Sequence, residues 1–460
     1  MKPRLLVEGA ASRLAGPLLF LKRTLDVGLA DAVEVIGRDG RARLGRVAAI
    51  DEDLLTIEVL ESTSGLNLPD TVVRFTGEPL AFGLGPGVLG RVYNGVGQPV
   101  DGGPPLPAHA SYPIDGLPVN PVARATPRDF IETGITAIDL MNSLVRGQKL
   151  PIFSGGGLPH DRMAAQIAGS ARLLSEDAGE FALVFAGIGL PHDSAEFFRA
   201  ALESGGALAR TALFLNLASD SSTQRLLTPR YALTAAEYLA FVEGKHVLVI
   251  LTDMTNYCEA LREVSAAKGE IPSRKGYPGY MYSDLATLFE RAGCIHGSAG
   301  TLTQLSILSM PSDDITHPIP DLTGYITEGQ IVLSRDLDRR GLYPPINVLP
   351  SLSRLMKEGT GGRYTHPDHP GLASQLYAAY ARAVQTRVLA SVVGEDGLSD
   401  TDRLYLAFGA RFESQLVNQA GPRTLAQSMD AGWRLLEPLP RGELTRLSDA
   451  QIAAHLGVPA

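Results

Sequence analysis

The chain has 460 residues, 45% hydrophobic and 20% charged, which is typical of a globular protein with two or three domains. Acidic residues exceed basic ones, 50 to 41, for a formal net charge of -9 with no Lys/Arg block, and this argues against nucleic acid as a partner. We expect no membrane span and no signal peptide, so any attachment to a membrane is expected to be peripheral. The two cysteines lack metal-ligand spacing, and we interpret them as free thiols in a reducing compartment.

The first 76 residues predict a small β-barrel. Two alternating apolar runs, at 32–36 and 54–59, are separated by turn signals that include Asp39-Gly40. Short, closely spaced strands with hairpin turns are typical of such a barrel. We assign residues 1–76 to an N-terminal β-barrel domain.

A segment rich in glycine and proline follows, from residue 82 to residue 127. It holds 9 Gly and 9 Pro in 46 residues. A connection of this length is normally functional or wraps around its neighbours. We predict that it is a strap between the barrel and the next domain.

Residues 77–350, including this strap, alternate strands with helices and predict a RecA-like α/β domain with a parallel sheet. Several strand candidates are near-continuous apolar runs, as in strands buried on both faces: 149–154, 181–187, 212–217, 247–251 and 304–309. Ligands of such sheets bind at the carboxyl ends of the strands. Asp253 stands at one of these ends, where it suits either a carboxylate facing Mg²⁺ or a cap of the next helix.

Another strand end carries three consecutive glycines, Gly155, Gly156 and Gly157, before a helical run. The arrangement resembles the phosphate-binding loop G-x-x-x-x-G-K-[ST], whose N–H groups hold phosphates, whose Lys reaches the β and γ oxygens and whose hydroxyl binds Mg²⁺. Counting from Gly155, Asp161 replaces the Lys and Arg162 replaces the hydroxyl. Taken alone, the glycines fit a simple tight turn equally well.

The replacement of Lys by Asp161 changes the local charge by two units. Each unit is worth roughly 4 kcal/mol against a phosphate charge ~4 Å away at an effective dielectric of ~20. The sequence therefore predicts the scaffold of a nucleotide-hydrolysing domain without its own hydrolytic site.

From about residue 371 the apolar period becomes helical. One helix face is predicted from residues that recur every four positions: Leu372, Leu376, Tyr380, Val384 and Val388. Further helical stretches follow at 402–418 and 424–436. We assign residues 351–460 to a C-terminal helical bundle.

A barrel, an α/β nucleotide domain and a helical bundle in this order resemble the α/β-type subunits of rotary ATPases. Residues 344–353, Pro-Pro-Ile-Asn-Val-Leu-Pro-Ser-Leu-Ser, fit the family signature P-[SAP]-[LIV]-[DNH]-x-x-x-S-x-S in full. Residues 89–102 look like the strap of the family. Within the family, residues 150–155, 251–263 and 316–330 look like the B, or beta, subunit of prokaryotic V/A-type ATPases. The resemblance covers essentially the whole chain.

The acidic segment 394–402 is similar to the family's C-terminal loop that meets the rotating shaft. It contains Glu395, Asp396, Asp400 and Asp402 around Leu398. We expect an exposed tip between two helices, with position 398 available for a crosslink to the shaft; a solvated loop is the plainer interpretation.

Two departures from the catalytic relatives predict a non-catalytic subunit. Catalytic subunits carry G-x-G-E-R after the second strand, with a Glu that orients or activates the attacking water, whereas residues 187–191 read Gly-Ile-Gly-Leu-Pro. Leu190 thus takes the position of the Glu, and Asp161 that of the Lys. Since phosphoryl transfer depends on positioning and charge stabilisation, either loss is expected to cripple it. The loop is expected to bind nucleotide weakly or not at all, and no metal site is expected.

Arg354, directly after the signature, takes the place of an arginine finger that the family extends to the neighbouring catalytic subunit. Without the family, this residue would be interpreted as an ordinary surface or helix-start arginine.

The resemblance implies a subunit that alternates with three catalytic A subunits in a hexamer, with Mg-ATP or Mg-ADP at the interface. A central rotor shaft, a peripheral stalk and, indirectly, an ion-conducting sector on the cytoplasmic face of the membrane complete the complex. The sequence leaves open H⁺ or Na⁺ as the ion, and synthesis or hydrolysis as the direction.

Two other functions are alternatives for this sequence. A stand-alone hexameric nucleoside triphosphatase, such as a secretion-type ATPase or an RNA translocase, requires an intact Lys-Ser/Thr loop and, for RNA, a basic or aromatic face. A pure scaffold that never meets nucleotide has no use for Arg354. The acidic group around Asp313, Asp314, His317 and Asp321 has no ligand geometry in its Pro-rich context, and we interpret these as loop and interface residues.

Overall fold

Strands predominate at the start of the chain, strands and helices alternate in the middle, and helices fill the end. The computed structural model describes residues 5–8, 11–116, 121–174 and 179–457. The strands are β1 (Leu5–Glu8), β2 (Ala11–Ala15), β3 (Leu18–Lys22), β4 (Asp31–Ile36), β5 (Ala42–Ile50), β6 (Leu54–Val59), β7 (Val72–Pro79), β8 (Ala81–Leu84), β9 (Arg91–Asn94), β10 (Ala110–Pro113), β11 (Arg124–Ala125), β12 (Phe130–Glu132), β13 (Leu144–Val145), β14 (Ile152–Gly155), β15 (Arg172–Leu173), β16 (Phe181–Leu190), β17 (Thr211–Leu217), β18 (His246–Thr252), β19 (Gly293–Ile295), β20 (Thr301–Met310), β21 (Gly329–Leu333) and β22 (Ile346–Ser353).

The helices complete the secondary structure. They are α1 (Thr136–Asp139), α2 (His160–Ser170), α3 (His192–Ser204), α4 (Ser222–Glu237), α5 (Met254–Ala267), α6 (Met281–Phe289), α7 (Pro318–Ile326), α8 (Arg335–Arg339), α9 (Met356–Gly359), α10 (His369–Val393), α11 (Asp400–Arg411), α12 (Leu425–Leu436) and α13 (Asp449–Leu456). π-Helical turns at 238–242 and 412–417 extend α4 and α11.

The described residues divide into two compact units. The first contains the described parts of 1–120, 182–243 and 249–291. The second contains those of 121–181, 244–248 and 292–460. The glycine-rich loop and Arg354 both belong to the second unit, so their geometry is described within it.

Strands β1 to β7 form an antiparallel sheet in the order β1-β7-β4-β5-β6-β3-β2. Alternate side chains of these strands, among them Val33, Val35, Leu55 and Ile57, pack into one apolar core. The period of two, with one face buried, is the reason that the sequence pattern predicted strands here. The predicted runs at 32–36 and 54–59 correspond to β4 and β6.

The glycine- and proline-rich segment contains strands of its own. β8 pairs with β10, β9 adds in parallel to β17, and β11 pairs with β19. Tyr93 of β9 is fully buried and stacks on Phe214 of β17, with ring centroids 4.8 Å apart. A short buried run between turns is enough to form a strand, so the strap does more than connect two domains.

The parallel sheet of the second unit holds β14 between β20 and β21, and β22 extends it in antiparallel pairing with β21. In the first unit, β17 lies between β16 and β9, and both pairings are parallel. β14 is buried along its whole length, as expected of a strand covered on both faces. The carboxyl end of β14 leads into the three glycines.

The C-terminal region of the second unit is helical. Leu372, Leu376 and Tyr380 of α10 are buried, as the period of four predicted. Val388, on the same predicted face, is 63% exposed because the last two turns of α10 project beyond the bundle core, and for this residue the prediction of a buried face was wrong.

Candidate functional site

The Gly155 loop, residues 155–162, joins β14 to α2. It closes with a tight turn in which Leu158 N–H donates to the Gly155 carbonyl, at 3.1 Å. Pro159 precedes the first residue of α2 and supplies no side-chain cap to the helix N-terminus. The strand–loop–helix order of a phosphate-binding loop is therefore present.

The polar side chains of the Gly155 loop bind to one another and to the protein. Ser154 Oγ lies 2.9 Å from His160 Nδ1, and His160 Nε2 lies 3.5 Å from Asp161 Oδ1. The Arg162 guanidinium lies 3.7 Å from the ring centroid of Tyr343, a cation–π contact at the position where a phosphate-binding loop has its Mg²⁺-binding hydroxyl. With a carboxylate at the Lys position and no hydroxyl at 162, these residues do not fit a Mg-nucleotide.

Two residues that the sequence did not connect with the loop close one side of it. Arg335 donates through Nη2 to the Gly156 carbonyl at 2.9 Å and forms a two-pronged ion pair with Asp313, at 2.6 and 2.9 Å. A Cβ atom at position 155 would overlap the Asp313 carboxylate, so this carboxylate lies directly against the loop backbone. The Arg335 guanidinium holds the pKa of Asp313 below its ordinary value. The Asp313 carboxylate therefore occupies the space beside the loop backbone, and its ion pair with Arg335 leaves the guanidinium unavailable to a phosphate.

Leu190 and Asp253, the two candidate site residues in the first unit, are both buried. Leu190, at the end of β16, is 3% exposed and its side chain packs back onto Gly187. Asp253 caps α5, its Oδ1 accepting from Thr255 N–H at 2.7 Å. The cap alternative thus describes the Asp253 geometry, and a role toward Mg²⁺ stays a prediction.

The Arg354 corner consists of the end of β22 and the start of β21, residues 351–354 and 328–329. Arg354 N–H donates to the Glu328 carbonyl at 3.0 Å. Gly329, with a φ of +131°, lets the two strands approach so closely that a Cβ atom there would overlap the Leu352 carbonyl oxygen. The Glu328 side chain binds Lys149 through its Nζ at 2.9 Å and its N–H at 2.8 Å. The backbone that carries Arg354 is therefore held on several sides.

The Arg354 side chain itself is exposed and, within the part of the chain that the structure describes, has no hydrogen-bond or ion-pair partner. An unpaired guanidinium on a fixed backbone is a planar, permanently charged donor fork directed at solvent. The two signature serines before it are buried and bonded within the protein: Ser351 donates to the Asn347 carbonyl, and Ser353 to the Ser143 carbonyl. The signature thus fixes the strand and leaves the arginine available.

The acidic segment lies between α10 and α11. Glu395, Asp396 and Asp400 are exposed, whereas Asp402 is half-buried and forms a capping box with Ser399 at the start of α11. Leu398 is 5% exposed, so the choice of position 398 for a crosslink was wrong: a leucine between two helix ends packs into the bundle to bury its apolar surface. Exposed apolar side chains occur instead at the end of α10, including Val388, Val392 and Val393.

Neither a metal centre nor a membrane span is found within the described ranges. In residues 5–8, 11–116, 121–174 and 179–457, no three His, Cys, Asp or Glu side chains are grouped so as to hold a metal ion. In the same ranges, no helix has both the length and the apolar composition needed to cross a bilayer.

Models of three protein families match consecutive parts of the chain. Residues 12–77 match the β-barrel domain of the ATP synthase alpha/beta family, and residues 134–353 match its nucleotide-binding domain. Residues 358–456 match the C-terminal domain of V and A type ATP synthases. These matches confirm the predicted fold class and the order barrel, nucleotide-binding domain, helical region.

Individual relatives agree with the family models. The V-type ATP synthase beta chain of Halothermothrix orenii is 54% identical over 450 residues, which cover 97% of each chain. Among solved structures, the ATP synthase subunit NeqB from Nanoarcheaum equitans matches with a TM-score of 0.73 and 36% identity, covering 92% of this chain and 100% of that one. The chain therefore belongs to the B, or beta, subunits of the V/A-type ATP synthases.

Proposed function

We propose that this chain is the non-catalytic subunit in the hexameric head of a V/A-type ATP synthase, where it alternates with three catalytic A subunits. It supplies Arg354 to the Mg-ATP or Mg-ADP that the A subunit holds at their shared interface. It also surrounds a central rotor shaft and is held by a peripheral stalk on the cytoplasmic face of a membrane. Rotation then couples ATP synthesis or hydrolysis to ion transport.

The state of the Gly155 loop supports the absence of catalysis by this chain alone. A catalytic loop needs a cation for the β and γ phosphates and a hydroxyl for Mg²⁺. Here Asp161 and Asp313 bring two carboxylates to the loop, and Arg162 stacks on Tyr343. The isolated chain is expected to bind Mg-ATP weakly or not at all, and a micromolar dissociation constant in a calorimetric titration would contradict this.

The exposed, unpaired guanidinium of Arg354 is the observation that carries the proposal. As phosphoryl transfer proceeds, negative charge develops on the equatorial oxygens of the transferred group, and a bidentate arginine donor stabilises it. A free arginine at the end of a well-anchored strand is suited to reach across a subunit interface. By contrast, the two arginines beside the Gly155 loop, Arg162 and Arg335, are occupied within this chain.

The test is the turnover of reconstituted head complexes that carry Arg354→Ala, with subunit stoichiometry checked and Mg-ATP saturating. Arginine fingers are worth roughly 10³ to 10⁵ in rate, about 4 to 7 kcal/mol, so most activity is expected to be lost. Lys357→Ala, which removes an exposed cation three residues away, is the matched control and should leave turnover within about twofold. Near-normal turnover in a correctly assembled Arg354→Ala complex would refute the proposal.

The tip between α10 and α11 is proposed to face the shaft. It combines the exposed acids Glu395 and Asp396 with the exposed valines Val388 and Val392, a mixture that suits a moving protein contact. In the assembled complex, Asp396→Cys should crosslink to cysteines placed along the shaft and stop rotation. Leu398→Cys, a buried neighbour, is the control and should crosslink poorly. If Asp396→Cys gives no crosslink in any rotary state, the tip is a solvated loop and does not contact the shaft.

A further inference from the structure

Gln148, in the loop between β13 and β14, is fully buried, and its side-chain amide is bonded at both ends. Its Oε1 accepts from Val145 N–H at 3.0 Å. Its Nε2 donates to the Glu328 carbonyl at 3.1 Å and to Ser353 Oγ at 3.0 Å. A buried amide with all its bonds made costs little to bury and rigidly fixes the groups that it touches.

Both groups to which Gln148 Nε2 donates lie next to the backbone of Arg354. The Glu328 carbonyl accepts from Gln148 Nε2 and also from Arg354 N–H, at 3.0 Å. Ser353 is the residue before Arg354, and its Oγ also donates to the Ser143 carbonyl at 2.8 Å. One buried side chain therefore connects the Arg354 anchor, the preceding residue and the β13–β14 loop.

We infer that Gln148 is a positioning residue for Arg354: it fixes the backbone from which the Arg354 side chain extends and so sets the direction of the guanidinium. The inference rests on the proposed role of Arg354 in trans. A shift of the Arg354 Cα displaces the guanidinium at the end of its long, flexible side chain. A displacement of about 1 Å in a reacting assembly costs roughly 10²-fold in rate. Gln148 touches no substrate and acts only through the backbone of residues 328 and 353–354.

The arginine beside the Gly155 loop is held in a different way. Arg335, on α8, binds the Gly156 carbonyl and the Asp313 carboxylate with its guanidinium. Arg354 is anchored through its N–H and leaves the guanidinium unused. A network that holds only the main chain of an arginine is what a residue acting on another molecule requires.

The experiment compares Gln148→Ala and Ser353→Ala with Ser428→Ala in reconstituted head complexes. Ser428 is the matched control because it is a buried serine of α12 that lies outside the Arg354 corner; its Oγ is hydrogen-bonded to Thr136 Oγ1 at 3.0 Å. Gln148→Ala should lower kcat roughly 10²-fold with KM for Mg-ATP unchanged. Ser353→Ala should lower it by a smaller factor, and Ser428→Ala should leave it within about twofold. Ser353→Ala also keeps the test open if Gln148→Ala fails to fold.

A double variant separates positioning from general damage. In the Arg354→Ala background, Gln148→Ala should cause no further loss of kcat, because there is no guanidinium left to position. A second loss of similar size on top of Arg354→Ala, or normal turnover of Gln148→Ala, would overturn the inference. If Arg354→Ala itself retains normal turnover, the proposed function fails; if only Gln148→Ala does, the positioning role fails and the proposed function stands.

Discussion

The Gly155 loop and the Arg354 corner lie in the same unit, and in each an arginine adjoins a glycine at the end of a strand. In the loop, the charges are satisfied internally: Arg335 binds Asp313 and the loop backbone, and Arg162 stacks on Tyr343. At the corner, bonds are made by the backbone and by buried side chains, and the Arg354 guanidinium is left unpaired among the described residues. The comparison shows that one unit satisfies the charges at one strand end within the chain and leaves a guanidinium exposed at another, and the proposed function depends on this difference.

The largest expected difference between the two regions concerns conservative arginine replacement. Arg354→Lys should lower turnover of the assembled head on the order of 10³-fold, since a point charge cannot reproduce the bidentate donor geometry. Arg335→Lys, on α8 beside the Gly155 loop, keeps a cation next to Asp313 and should leave turnover within about twofold. The measurement is the steady-state ATPase rate of the Arg354→Lys and Arg335→Lys complexes. If both replacements had equal effects, the corner and the loop would not differ in function.

A glycine from each region provides the second comparison. Gly329→Ala places a Cβ atom against the Leu352 carbonyl at a φ of +131°, so it should destabilise the chain by about 3 kcal/mol. Gly156→Ala meets no atom within 4 Å, and removing glycine freedom there should change stability by less than about 1 kcal/mol, in the stabilising direction. Denaturant unfolding of the two full-length variants measures this. A costly Gly156→Ala would mean that the backbone at Gly156 is conformationally constrained, as it is at Gly329.

The third prediction tests whether the loop is closed by its own carboxylate. Asp313→Ala releases Arg335 toward the loop and removes a negative charge from the backbone of Gly155, so affinity for inorganic pyrophosphate should rise about tenfold, or ~1.4 kcal/mol. The increase should disappear in Asp313→Ala/Arg335→Ala. Asp336→Ala, an exposed acid on the same helix as Arg335, is the matched control. Unchanged affinity in Asp313→Ala, measured by calorimetry, would show that Asp161 alone excludes phosphate.

The smallest effect concerns pH. Arg335 holds the pKa of Asp313 below its ordinary value of 3.8, so the pair contributes to stability above that pH and loses its contribution as pH falls through the lowered pKa. Because the pair is partly exposed, Asp313→Asn should lower the free energy of unfolding by less than about 1 kcal/mol. The difference from the wild-type chain should stay constant within about 0.5 kcal/mol from about pH 8 to about pH 5. A difference that decays in this range would mean that the carboxylate is not held ionised.

Some predicted features came from patterns within one segment, and these agree with the structure. Alternation along β4 and β6, the period of four at the start of α10 and the strand before Gly155 each report a burial pattern that a few neighbouring residues specify. The replacement of Lys by Asp161 and of Glu by Leu190 is equally local, and so is the position of Arg354 after the signature. At Val388 the helical period predicted burial and the side chain is exposed, whereas at Leu398 the acidic neighbours predicted exposure and the side chain is buried.

The sequence by itself therefore determined the order of the three regions, the family and the residues, Asp161 and Arg162, that stand where a phosphate-binding loop has its Lys and its hydroxyl. Only the tertiary structure decided what surrounds the two arginine sites. Arg335 reaches a loop carbonyl 179 positions away, and Gln148 binds Glu328 and Ser353 across 180 and 205 positions. No spacing rule connects residues so far apart, because their meeting depends on the strand order of the sheet. Local patterns specify which residues are buried, whereas the sheet topology specifies which buried and charged groups meet.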